Sequence, residues 1–311
     1  MAERRPDSPV VVIGALAANL AIAIAKLVAA AMSGSSAVLA EGIHSLADSG
    51  NELLLLFGLR RSRRPPDQRH PYGHGKELYF WGLVVAMVLF GLGGGMSIYE
   101  GIHHLLHPTT RGSTTSAYVT LALAVVFESI SLAIGLRELK RRKPKLPLLR
   151  AAFAIKDPTI YMVVGEDIAA IAGLVVALAG LLVSDLTGNW TFDALASIVI
   201  GCIVGAVAVI LARESRTILT GESADPELVA SIRRIATQDR EVTRVGPPLT
   251  MRLSPDDLLL NLDVEFKRDL SGEALRQAVE RLEAAIRAAH PDVTRIFLEA
   301  TLIARCQSAR P

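Results

Sequence analysis

The sequence predicts an all-α six-helix transmembrane domain followed by a small α+β domain. Three observations carry this expectation: six apolar stretches of spanning length, a change of character near residue 213, and an α-β-β-α-β pattern beyond it. Of 311 residues, 51% are hydrophobic, too many for an ordinary soluble protein. The apolarity is concentrated in 1–213, expected to be a six-span transmembrane domain. The remainder, 214–311, is charged and periodic, and has the size of one small domain.

A helix needs ~20 apolar residues to cross a bilayer. Six segments qualify: about Val10–Met32, Ser36–Leu59, Leu78–Leu106, Ser116–Leu139, Thr159–Ser184 and Phe192–Ala212. Glycines recur within them, as close helix packing in lipid requires. Basic residues crowd alternate connections: Arg60 to Lys76 after the second span, Arg137 to Lys156 after the fourth. The opposite connections contain only Arg111, so both termini are expected to be cytoplasmic. The leader is too short for a transit peptide, and the first span is expected to belong to the mature chain.

In the tail, Asp225-Pro226 starts a helix with Leu228, Ile232 and Ile235 on one face. Two strand-like stretches follow, Val242–Leu253 and Leu258–Phe266; the second alternates apolar with polar residues. Ser271 caps a helix striped by Leu275, Val279, Leu282 and Ile286, and a strand near Val293–Leu298 closes the order. This order suits a ferredoxin-like sheet with helices on one face. The two cysteines, Cys202 and Cys306, can build neither a disulfide framework nor a cysteine zinc site. No nucleic-acid partner is expected, because no base-reading module accompanies the basic runs.

The chemistry lies in polar residues where a bilayer penalises them. On the second span Glu41, His44, Asp48 and Asn51 or Glu52 follow one helix face. On the fifth, Glu166 and Asp167 interrupt an apolar run. Ionisable groups at a helix centre cost at least ~2.5–3.5 kcal/mol each and mark ion paths or binding sites. Imidazole and carboxylate together are ligands for a divalent transition metal. Metal must displace protons from such ligands, so a site open alternately to two compartments would exchange one for the other without ATP. Helix–helix hydrogen bonding is the competing reading of the stripe.

The series AEGIHSLADSGNE, HPYGHGKE, LLHP and KDPTIYMVVGEDIAAIAG resembles the cation diffusion facilitator family of metal transporters, nearest its mitochondrial-type zinc exporter subgroup. The likeness covers nearly the whole chain, and so many motifs in order are specific. It implies a dimeric metal/proton antiporter that moves zinc, or another divalent transition metal, out of the cytoplasm as substrate, with no cofactor. It implies a transport site of His44 and Asp48 on the second span and Asp167 on the fifth. The fifth-span partner of Asp167 in that pattern falls on Val163, which cannot ligate; Glu166, a water or Asn51 stand as alternatives. Asp67, His70 and His74 match a peripheral zinc arrangement of some members, with a solvated turn as the plain alternative.

His103, His104 and His107, with Glu100 a turn below, read as interfacial side chains, and Lys26 and Glu128 as intramembrane charges outside any ligand spacing. Two other functions compete: a non-transporting membrane scaffold and an intramembrane metalloenzyme. Hydrolase spacings such as H-E-x-x-H are absent, which opposes an enzyme. The expected partners are the metal ion, protons, the lipid bilayer and a second copy of the chain. The expected location is the plasma (inner) membrane.

Overall fold

A computed structural model describes residues 8–33, 36–107, 114–142, 144, 147, 151 and 155–301. Some side chains within these stretches, Lys26, Glu41 and His44 among them, lie outside the described set. Contacts divide the chain into two units. One runs up to Pro65 and from Glu77 to Arg216; the other joins Pro66–Lys76 to the chain from Thr217 onward.

The first unit is helical. α1 (Ser8–Ser33) and α2 (Ser36–Ser62) precede a long helix built from α3 (Glu77–Val88), a π-helical segment (Leu89–Gly95) and α4 (Met96–Leu106). α5 (Thr114–Arg142), α6 (Pro158–Thr187) and α7 (Thr191–Leu219) complete it. Among the described residues, four helices are long and apolar enough to cross a membrane: Glu77–Leu106, Tyr118–Arg142, Pro158–Thr187 and Thr191–Leu219. α1 adds a shorter apolar run, Val12–Ala25, while α2 carries Asp48, Asn51 and Glu52 in its middle. Length and composition therefore support four of the six expected spans directly.

Val12, Leu55, Val85, Tyr161, Met162, Val163 and Leu211 form a buried cluster drawn from α1, α2, α3, α6 and α7. Phe90, Leu123, Val175 and Val209 point outward, as side chains do where the solvent is hydrocarbon. α5 and α6 approach closely at Gly135, where a Cβ would come within 2.7 Å of Val164 Cγ2.

The start of α6 is held by a polar network. Asp157, 1% exposed, caps the helix by accepting from the Thr159 N–H (3.0 Å) and receives Arg142 of α5 (3.0 Å). Pro158 follows it at the first helical position, where a missing N–H costs nothing. Tyr79 of α3 donates to the Lys156 carbonyl, and Lys156 pairs with Glu214 of α7. Lys156 itself adopts φ 52°, a conformation a non-glycine residue holds only when its surroundings impose it.

The second unit is an α-β-β-β-α-β fold: α8 (Pro226–Gln238), β1 (Val242–Val245), β2 (Leu249–Ser254), β3 (Asp257–Phe266), α9 (Gly272–Ala289) and β4 (Val293–Thr301). The stretch expected as one strand over 242–253 is two. Pro247 and Pro248 lack the N–H a ladder needs and break it after Gly246. β1 pairs antiparallel with 264–266 and β2 with 257–261, so they follow one another along one edge of β3. The parallel strand β4 takes the other edge. The sheet therefore has three rows, one of them broken into β1 and β2. Leu258, Leu260, Leu262, Val264 and Phe266 turn one face of β3 toward Ile232 of α8 and Leu282 and Ile286 of α9. Ser271 caps α9 at Ala274 as expected, whereas Asp225 precedes α8 without a capping hydrogen bond.

Replacing the cap tests the anchoring of α6. Asp157→Ala removes the cap and the Arg142 pair and is expected to cost at least ~1 kcal/mol. Asp157→Asn keeps an acceptor for Thr159 and is expected to recover part of that loss. Thermal unfolding midpoints of the detergent-solubilised variants check this; equal midpoints for wild type and Asp157→Ala would refute it.

Candidate functional site

α2 and α6 bring their polar residues to a common seam. Asn51 and Glu52 on α2 are 4% and 2% exposed, and Asp167 on α6 is 4% exposed, while Asp48 and Glu166 are half-buried. The Asn51 amide donates to Glu166 Oε1 at 2.9 Å, joining the two helices. Asn19 of α1 donates to Glu52 Oε1. The carboxylates of Asp48, Glu52, Glu166 and Asp167 lie close enough to interact electrostatically, and Glu128 of α5 acts on Asp167 as well.

Two buried oxygens on this seam have no hydrogen-bond partner, Asn51 Oδ1 and Glu52 Oε2, while Ser131 of α5 stands beside the Asp167 carboxylate. A buried polar atom without a partner costs ~1–3 kcal/mol, more when charged. Four acids and few donors make a place where a cation or protons would be welcome. Val163, 2% exposed, sits one turn before Asp167 and presents only methyl groups. The side chains of His44 and Glu41 lie outside the described residues, so the predicted His44–Asp48 pair is placed by helix spacing alone.

Among the described residues, one group sets three potential ligand atoms within 4.8 Å of one another: Asp67, His70 and His74. The intramembrane acids do not converge that tightly. The loop owes its shape to Asp67, whose Oδ1 accepts from the N–H groups of Arg69 (2.8 Å) and His70 (2.6 Å). Its Oδ2 lies 3.1 Å from His74 Nε2, and its Oδ1 lies 3.3 Å from His70 Nδ1. A turn closes behind them through Gly73, at φ 85°, whose N–H donates to the His70 carbonyl. The two imidazoles lie 4.2 Å apart. Two nitrogens and a carboxylate with an open fourth position are a donor set zinc accepts.

The loop packs within the second unit. Arg295 of β4 lies over the Tyr72 ring at 5.4 Å, and a Cβ at Gly75 would collide with the Leu253 carbonyl of β2. The backbone N–H of His70, then His74, Arg69 and the His70 ring, stabilise the Asp67 carboxylate and lower its pKa from 3.8 to about 2.

At the end of α4, Tyr99, His103 and His107 stack in sequence, with ring centroids 6.0 and 4.9 Å apart. No third ligand atom joins them within reach among the described residues. Sequence reasoning missed Asn19 and the Asp157–Arg142 pair. A lone amide in an apolar helix, and an acid directly before a helix-starting proline, were the available signals.

These features define a polytopic helical membrane protein with buried acids and a small mixed domain. Residues 12–220 match the cation efflux transmembrane domain. The chain is 33% identical over 243 residues to the mitochondrial proton-coupled zinc antiporter SLC30A9 of Xenopus laevis, covering 78% of this chain and 44% of the relative. It is 31% identical over 236 residues to metal tolerance protein C4 of Arabidopsis thaliana (75% and 52%). It is 28% identical over 293 residues to the manganese efflux system protein MneP of Bacillus subtilis (88% and 93%). The chain belongs to the cation efflux family, near its mitochondrial-type zinc exporters, and these relatives are transporters rather than enzymes. It spans about half the length of the first two of them.

The Asp67 carboxylate holds the loop together in its charged form. Its contribution to the loop is complete above the ordinary carboxylate value and disappears as pH falls through about 2. Carbon-13 NMR of the Asp67 carboxyl is expected to show a midpoint near 2; a midpoint at 3.8 would mean that the turn does not hold this charge.

Proposed function

We propose that this protein is a secondary active transporter that exports a divalent metal, with zinc as the favoured cargo, in exchange for protons. The observation that carries the reading is the buried carboxylate of Asp167 on α6, beside the acids of α2, in a chain of the cation efflux family. Asp48 and Asp167 supply charge that offsets a dehydrated dication, His44 supplies a nitrogen, and Glu166, tied to Asn51, stands ready as a further oxygen. α1 and α2 join the four apolar helices to make six spans. The termini and the second unit lie in the cytoplasm, the membrane is the plasma (inner) membrane, and two copies pair through the second unit. Asp67, His70 and His74 form a peripheral site for the same metal.

Manganese is the alternative cargo. Oxygen donors outnumber nitrogen donors on the α2–α6 seam, and carboxylate sites suit harder ions. A relative matched over 93% of its length is named for manganese efflux.

Proteoliposomes containing the purified protein and a pH-sensitive dye test the proposal. Zinc is expected to drive proton flux, and Asp48→Ala and Asp167→Ala are each expected to reduce it at least ~100-fold, the upper end of losses at metal sites. His70→Ala/His74→Ala is expected to lose one bound zinc per chain while retaining flux. Wild-type flux in both aspartate variants would remove the proposed site. A rate that manganese saturates at lower concentration than zinc would favour the alternative cargo.

A further inference from the structure

The transport site proposed above has three donors, His44, Asp48 and Asp167, whereas a tetrahedral dication takes four. Glu166 follows Asp167 by only one position, about 100° around the helix, and its Oε1 is already engaged by Asn51. Val163 closes the position one turn before Asp167 with an apolar side chain.

Glu52 has the properties the missing donor needs. It is 2% exposed, Asn19 orients it by donating to Oε1, and its other oxygen, Oε2, has no hydrogen-bond partner. It lies one turn beyond Asp48 on the same face of α2, in electrostatic reach of both Asp48 and Asp167.

The register between the helices places it further. Asn51 meets Glu166, and Leu55 shares a buried cluster with Tyr161, Met162 and Val163, so α2 and α6 run antiparallel. At a rise of about 1.5 Å per residue, Asp167 then stands about 3 Å along the axis from the level of Glu52 and about 3 Å from that of Asp48. The acid of α6 is bracketed by two acids of α2, and the buried Glu52 carries an oxygen with no partner.

We propose that Glu52 is a ligand of the transported metal, the fourth donor beside His44, Asp48 and Asp167, with Asn19 as the residue that positions it. This rests on the transport reading. It assigns to α2 the carboxylate that α6 lacks at Val163, so the metal is held by three side chains of one helix and one of the other.

The test uses full-length protein carrying His70→Ala/His74→Ala, so that zinc titration calorimetry reads the intramembrane site alone. Glu52→Gln keeps the size of the side chain and an acceptor for Asn19. It is expected to weaken zinc binding roughly 10–100-fold. Adding Val163→Asp returns a carboxylate one turn from Asp167 and is expected to restore affinity to within about threefold, a small residue of a loss that size. The visible absorption of bound Co2+ is expected to shift in Glu52→Gln and to return towards the parent spectrum in the double variant. Unchanged zinc affinity and Co2+ spectrum in Glu52→Gln would overturn the assignment, as would a loss that Val163→Asp does not repair. Asp167→Asn serves as the control. If it abolishes binding while Glu52→Gln does not, the transport site stands without Glu52. If it binds and transports normally, the transport reading itself fails.

Discussion

Keeping acidic side chains out of water is the constraint on which this molecule turns. Asp48, Glu52, Glu166 and Asp167 lie in a bundle whose interior is mostly apolar, where an uncompensated carboxylate is costly. Two amides, from Asn19 and Asn51, each satisfy one oxygen across a helix boundary, while other oxygens stay unpartnered. A bundle that needed only glue would pair its polar atoms with one another. This one leaves buried acceptors without partners, the feature from which we propose that a divalent cation or protons complete it. The anchoring of α6 at Asp157, by Arg142 and the Thr159 N–H, fixes where Asp167 stands along that seam.

The two candidate metal positions differ in kind. The loop group of Asp67, His70 and His74 is half open to water, and its carboxylate stays charged because backbone N–H groups point at it. A metal there meets ligands already near one another and sheds little of their solvation. The seam between α2 and α6 is largely buried, and its acids are more widely spaced among the described residues. Ion entry there must balance charge that the apolar surroundings oppose.

The sequence made much of this legible because lipid leaves few options. Long apolar runs read as helices, and the positions of Asp48, Asn51 and Asp167 stood out against them. The tail was legible through alternation in β3 and the stripe of α9, since both face a core. The division of 242–253 into two strands was missed because both pair with the same edge of β3; Pro247 and Pro248 mark the break. Tertiary pairings were out of reach. Nothing in the local pattern says that Asn19 serves Glu52, that Asn51 meets Glu166, or that residues 66–76 pack with the chain beyond 217. The proximity of Asp67 to two imidazoles depends on a turn at Gly73, which spacing alone could not distinguish from a solvated loop.

The account stands on a dication seated between α2 and α6. Anomalous diffraction at the zinc edge, from crystals of the metal-loaded full-length protein, tests it most directly. It predicts a peak about 2.0–2.2 Å from carboxylate oxygens of both Asp48 and Asp167. A fully occupied peak in the loop of Asp67, His70 and His74, with nothing between the two helices, would contradict it.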